Sequence, residues 1–334
     1  MNLQRDLASP STGPGGAPDG VDEVAAALAA HGYIADEGLA TSIFLALTLE
    51  RPLLLEGEAG VGKTEVAKVL AAWTGGELIR LQCYEGIDVS QAVYEWDYAR
   101  QLLHLRAAEI AGAGAPAPSQ AVARPGAPGA RPDVARPDVT DAVYSERFLV
   151  RRPLLAAIDH GDGAPPVLLI DEVDRADDEF EAFLLEILSE YAVTVPELGT
   201  FRAAVPPRVV ITSNRTRDVH DALKRRCLYH WVPHPGFERE VEIVALRAPQ
   251  AGDLLVRQVA AAVESLRGMR LYKPPGVAET IDWAAALAAL GTSEIDEHAV
   301  DVTLGTVVKY QEDQARVRAA GVGDLVRAAV LRGS

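Results

Sequence analysis

The run Gly57-Glu58-Ala59-Gly60-Val61-Gly62-Lys63-Thr64 limits what this chain can fold into more than any other segment. It fits the spacing GxxxxGK[ST] and lies between Leu53-Leu54-Leu55, read as a short buried strand, and a helical pattern rich in Ala and Val. Glycines let successive backbone N–H groups turn inward around phosphate oxygens, and the following helix presents the positive end of its dipole to the same point. Lys63 can supply a mobile positive charge to the β- and γ-phosphates, and the Thr64 hydroxyl can coordinate Mg²⁺. A second strand, Glu77 to Gln82, completes a strand–loop–helix–strand order, so the expected fold class is α/β with a parallel sheet.

Val167-Leu168-Leu169-Ile170-Asp171-Glu172 is the second half of the pattern: an apolar strand ending in two acids. Asp171 is expected beside the phosphate loop, holding the hydration shell of Mg²⁺, and Glu172 is expected to polarise an attacking water. The plainer reading is that these acids begin an acidic helix, since seven of the eleven residues from 171 to 181 are Asp or Glu. Helix-dipole stabilisation accounts for Asp177, Asp178 and Glu179 but not for a pair capping a buried strand. Asn214 ends the next apolar strand, Arg208 to Ser213, where its amide could orient the water; as a lone Asn it would be an ordinary turn residue. Arg225 and Arg226 close a short helix, Asp218 to Arg225, and either offset its dipole or reach a neighbouring subunit's γ-phosphate.

The length of 334 residues exceeds what one core needs and points to two domains. Residues 1–20 are Ser, Pro, Gly and Ala with little to bury, and read as a disordered tail. An α/β core is expected over 21–235, opening with two helical segments from Val21 to Glu50. Within it, nineteen of the 30 residues from 111 to 140 are Ala, Gly or Pro, marking a low-complexity insertion. A helix is expected around Ser145–Asp159, an acidic helix from Asp177 to Tyr191, and a hairpin from Ala192–Val195 and Thr200–Val205. A last strand runs from Leu228 to Val232, after which residues 237–334 read as entirely helical, a separate lid domain.

The charge, 32 basic against 48 acidic residues for a net −16, argues against a general nucleic-acid or anionic-membrane binder, because both demand a basic surface. No apolar run approaches the roughly 20 residues that span a bilayer, and the first 20 residues lack a secretory pattern. Two cysteines are too few for a disulfide scaffold, and a cytoplasmic location is expected.

With these landmarks in place the chain resembles the AAA+ ATPases, specifically the MoxR branch and its CoxD-like group, over about residues 21–334 apart from the insertion. The matching features are the Walker A loop Gly57–Thr64, Walker B Leu168–Glu172, sensor 1 at Asn214 and an arginine finger at Arg226, with Arg225 as second choice. The 192–205 hairpin resembles the pre-sensor-1 hairpin of that clade. Tyr94, Trp96 and Tyr98 lie where it inserts a hairpin, and their i, i+2, i+4 spacing would put three rings on one strand face, for packing or for substrate contact. The lid departs from the family pattern: Glu279 stands where an arginine sensor is common, leaving Lys273 or Arg270 as substitutes. The resemblance implies an AAA+ core with a helical lid, ATP and Mg²⁺ as cofactors, and a hexameric homo-oligomeric ring. It also implies a von Willebrand factor A domain partner and a chaperone role toward a metalloenzyme client, such as a molybdenum hydroxylase of the carbon monoxide dehydrogenase kind. The competing reading is a nucleic-acid motor or loader on the same core.

Cys227, His230 and His234 have spacing that could hold a metal, but they fall on a strand and its exit loop, where alternate side chains face opposite ways and core packing is the simpler role.

Overall fold

In the computed structural model, the described residues are 18–113 and 143–333. The tail reading for 1–20 therefore lies outside them up to residue 17, and the 111–140 insertion lies outside them from residue 114 onward.

Helices α1 (Val21–Ala30) and α2 (Glu37–Thr48) come first, α2 being capped by Asp36, which accepts from Leu39 N at 2.7 Å. Strand β1 (Leu53–Glu56) follows, then α3 (Lys63–Thr74) and β2 (Leu78–Gln82). Next come α4 (Val89–Ala92), β3 (Tyr94–Trp96), α5 (Tyr98–Ala113), β4 (Leu149–Arg151), α6 (Pro153–Ile158) and β5 (Val167–Asp171). The core closes with α7 (Asp178–Glu190), the hairpin β6 (Ala192–Val195) and β7 (Gly199–Arg202), β8 (Arg208–Ser213), α8 (Asp221–Arg226) and β9 (Leu228–Trp231). Six helices complete the described chain: α9 (Phe237–Arg247), α10 (Asp253–Gly268), α11 (Val277–Ala289), α12 (Glu297–Val307), α13 (Gln311–Ala320) and α14 (Val322–Gly333).

The five-stranded sheet has the order β2-β5-β8-β1-β9 and is parallel throughout. Parallel strands need both faces covered, and the alternating residues of each strand supply that. Leu53, Leu55, Leu169 and Val210 pack with Ile43, Val66 and Leu70 on one face. Leu54, Leu168, Ile170 and Ile211 pack with Leu155, Leu184 and Leu223 on the other. The six later helices gather around their own apolar centre, which includes Trp283, Val259 and Leu304.

Two expectations are corrected. The stretch Ser145–Asp159 is not one helix but a 3₁₀ turn (Glu146–Phe148), β4 and the short α6. Arg152 precedes Pro153, and a residue before proline is pushed toward extended backbone, so the helix can begin only at the proline. The three aromatics do not share a strand face either. Asp97 Oδ1 accepts from Arg100 N at 3.0 Å, which starts α5 at Tyr98 and ends the strand at Trp96. Trp96 is buried edge-to-face against Tyr144 and Tyr94, whereas Tyr98 is exposed.

Candidate functional site

The phosphate loop leaves the C-terminal end of β1 with two glycines that no other residue could replace without strain. Gly62 has φ +96°, the left-handed region, and forms the N-terminal boundary of α3. At Gly57 a Cβ would run into the Val232 carbonyl. Lys63 is buried, and its ammonium donates to the carbonyls of Gly57 (2.8 Å) and Glu58 (2.7 Å), the loop's own oxygens. Burial holds the Lys63 pKa below its usual value, while Asp174, Glu58, Asp171 and Glu172 pull the other way.

Parallel pairing brings the second half of the site to the loop. Thr64 Oγ1 donates to Asp171 Oδ1 at 3.0 Å across the sheet. The buried Thr212 hydroxyl donates to the same oxygen at 2.6 Å and accepts from Glu172 N at 2.9 Å. The other Asp171 oxygen is held by Arg80, with Nη2 at 2.5 Å and Nε at 3.1 Å. A hydroxyl and a carboxylate oxygen this close fit the hard-oxygen chemistry of Mg²⁺, which takes few protein ligands and completes its octahedron with phosphate oxygens and water. Thr64 and Asp171 are the residues that would hold it.

Glu172 sits in the left-handed region at φ +57°, unusual for a glutamate, where the strand tip turns sharply. One carboxylate oxygen accepts from Asn214 Nδ2 at 3.2 Å; the other accepts from Gln82 Nε2 at 3.1 Å and pairs with Arg175 Nε at 2.9 Å. Asn214 is positioned in turn by Asp174, a carboxylate only 2% exposed. Asp174 accepts from Asn214 N (3.1 Å), Thr216 N (2.8 Å) and Thr216 Oγ1 (2.6 Å). These bonds pin the loop that leaves β8, where Arg215 is also left-handed at φ +55°.

The structure thus gathers Gly57, Glu58, Ala59, Gly60, Val61, Gly62, Lys63, Thr64, Asp171, Glu172 and Asn214 at one end of the sheet. Arg225 and Arg226 are not there. They end α8 just before β9, whose first residue Leu228 pairs with Leu53, the first residue of β1; the phosphate loop leaves the opposite end of that strand. A strand of four residues separates the two by about 13 Å, so neither arginine is placed to serve its own loop.

Helices α9 and α11 roof the loop. Gly60 O accepts from Val277 N (3.0 Å) and Ala278 N (3.3 Å), the first turn of α11. Glu279 brings no positive charge to the loop as an arginine sensor would: its Oε2 lies beside Gly60 but accepts from Gly276 N at 3.0 Å and caps its own helix. Arg239 binds Asp36 at 2.8 Å and the Ile34 carbonyl, and Arg247 binds Glu65 at 3.1 Å. The cleft between roof and loop has a volume of about 360 Å³, within the usual range for a small-molecule site. Tyr33, Ile34, Ile243, Val277 and Ile281 give it apolar walls, and Lys63, Thr64, Asp171 and Glu172 its polar ones. Arg239 and Arg247 line this cleft; Lys273 and Arg270 are exposed and do not.

Four residues of this site, Arg80, Gln82, Asp174 and Thr212, were not expected from the sequence. The alternation of Arg80 and Gln82 on one face of an otherwise apolar strand was the available signal for two of them. Among the described residues no group of three or more His, Cys, Asp or Glu side chains could hold a metal, so Cys227, His230 and His234 form no such site. Cys227 packs under the sheet, where burial pushes its thiol up to about 12, and His230 lies against Gly38 and Ser42.

Fold and site together define a P-loop nucleotide-binding protein. Residues 52–227, more than half of the chain, match the AAA domain (dynein-related subfamily), and the chain belongs to this family of AAA+ P-loop ATPases. No curated protein matches the sequence. Among solved structures, the Thermotoga maritima RuvB Holliday junction branch migration motor is similar at 15% identity and TM-score 0.41, over 80% of this chain and 65% of that one. A mutant of the same RuvB is similar at 14% identity and TM-score 0.43, over 86% and 72%. The described residues contain no helix long and apolar enough to cross a membrane.

Proposed function

We propose that this chain hydrolyses ATP as a ring-forming AAA+ chaperone of the MoxR type, CoxD-like, acting on a metal-containing client enzyme. The observation that carries the hydrolytic reading is the approach of Glu172 to Asn214 at 3.2 Å beside a loop that presents Lys63 and Thr64, with Asp171 of β5 bonded to Thr64. Backbone N–H groups of Gly60, Val61 and Gly62 cradle the phosphates, and the Lys63 ammonium moves from the loop carbonyls to the β/γ-phosphates. Thr64 and Asp171 would hold Mg²⁺, which would supply charge neutralisation to the phosphate oxygens. Glu172 accepts the proton of the attacking water while Asn214 orients it. Arg226, with Arg225 as the alternative, completes a neighbouring subunit's site, which requires a ring.

The division into an α/β core (21–235) and a helical lid (237–334) belongs to this reading. The separate apolar centre of the later helices and their contacts with Gly60, Asp36 and Glu65 support it, since a roof attached at few points can shift with nucleotide state. The hairpin β6/β7 and the antiparallel pair β3/β4, which holds Tyr94 and Trp96, support this reading. A von Willebrand factor A domain partner and the hexameric count come from the resemblance, and a cytoplasmic location from the low cysteine count. The net charge of −16 favours a protein client over nucleic acid.

The test is turnover of the purified ring alone, with DNA and with RNA. Unchanged rates with either nucleic acid are expected. Stimulation of several-fold by DNA that disappears at high salt would replace the chaperone by a nucleic-acid motor.

A further inference from the structure

Arg51 stands two residues before β1, on the far side of Pro52, and its guanidinium reaches the end of α8. Nη2 donates to the Arg225 carbonyl at 2.8 Å and Nε to the Arg226 carbonyl at 3.1 Å. These are last-turn carbonyls that no donor within the helix can reach. The helix has only six residues, too short to hold its own end by internal bonds. Arg51 thus fixes the main chain of both arginines from outside their helix. Their side chains, by contrast, are exposed and make no hydrogen bond or ion pair with any described residue.

The opposite end of β1 is tied to the same helix. Glu56 is 2% exposed, accepts from Ser213 Oγ at 3.3 Å and stands 3.9 Å from Lys224 Nζ. Gly57, the first residue of the phosphate loop, follows it directly. One short strand therefore carries the loop at its end and is fastened to the arginine-bearing helix both below, through Arg51, and above, through Glu56.

We propose that Arg51 is a positioning residue for Arg226: it sets the main-chain position from which the free guanidinium reaches the neighbouring subunit, and it ties that position to the strand bearing the subunit's own phosphate loop. This rests on the reading of Arg226 as a group acting in trans.

Mixed rings test it. Recipients carry Arg226→Ala with an intact phosphate loop; donors carry Lys63→Ala with Arg226 intact. Donors with Arg51 intact should restore recipient turnover. Donors that also carry Arg51→Met, which keeps the aliphatic stem and removes both bonds, should restore at least tenfold less, with the KM for ATP at the recipient site unchanged. Arg51→Lys donors, with one donor group left, should fall between. Full rescue by Arg51→Met donors would overturn the proposal. No rescue by any donor, Arg51-intact ones included, would remove the trans role of Arg226 itself, and this proposal with it. Amide exchange on the single-site Arg51→Met protein is a second readout that needs neither assembly nor turnover. Exchange over 222–228 should quicken about tenfold while that over α3 stays unchanged; unchanged exchange at 222–228 would also overturn the proposal.

Discussion

Asp174→Asn is the substitution that most sharply separates positioning from chemistry at this site. The carboxylate is buried and accepts three bonds: Asn214 N on one oxygen, Thr216 N and Thr216 Oγ1 on the other. Asparagine keeps the shape but only one oxygen. If that oxygen faces Asn214, the new amide N–H₂ points at the Thr216 N–H, donor against donor; if it flips, Asn214 N loses its acceptor. Either way one buried backbone N–H is left without a partner, at about 1–3 kcal/mol, and the remaining bonds lose their charge assistance. The expected loss of stability is about 3 kcal/mol, read by chemical denaturation. The loop then shifts, and Asn214 with it. A displacement of about 1 Å at a group that orients the water costs on the order of 10² in kcat. The carboxylate makes no hydrogen bond to Lys63, Thr64 or the glycines, so the KM for ATP should stay within about twofold of the parent. Thr216→Val removes only the hydroxyl bond and should lose far less turnover. A folded Asp174→Asn protein with parental kcat, or one whose KM rises as much as its kcat falls, would refute this account of Asn214.

Lys63→Ala should weaken ATP binding roughly tenfold to 150-fold, the worth of a charge-assisted bond in a buried site, measured by titration with a fluorescent nucleotide; an unchanged Kd would remove Lys63 from the site. His234 follows β9 on the loop to α9. Burial first, then Arg267, holds its imidazole down from 6.5 to about 4, and its Nδ1 is buried without a hydrogen-bond partner among the described residues. Between those values the unfolded chain binds the proton that the folded one refuses. Its contribution to stability is therefore complete above pH 6.5 and is lost as pH falls toward 4. His234→Gln should flatten that part of the denaturation-versus-pH curve, and an identical slope in both proteins would contradict the assignment.

What the sequence made legible was what depends on neighbours along the chain. The glycine spacing of residues 57–64 and the run of apolar residues ending in Asp171-Glu172 each carry their chemistry within a few positions. Their strand–loop–helix setting identified the sheet as parallel. The residues that escaped notice act across strands. Arg80 meets Asp171, and Gln82 meets Glu172, only because β2 and β5 pair in the register that sets Gln82 beside Asp171. Asp174 looked like one acid among many in an acidic stretch, and only its burial against Thr216 separates it from the solvated Asp178. The helix expected at Ser145–Asp159 is cut short because Pro153 sits inside it and lets helix begin only there. Tyr98 was misplaced because the capping role of Asp97 outweighs the aromatic alternation that precedes it.

Phosphate release by the purified protein, with ATP and Mg²⁺ at saturation and beside the Glu172→Gln variant, tests the central claim most directly. The parent is expected to release inorganic phosphate continuously. Glu172→Gln, which keeps the shape and the Asn214 neighbour but cannot take a proton, is expected to bind ATP as tightly while turning over at least 100-fold more slowly, as for loss of a general base. A parent that releases no phosphate in any assembly state, or a variant that keeps the parental rate, would contradict the claim that this site cleaves ATP.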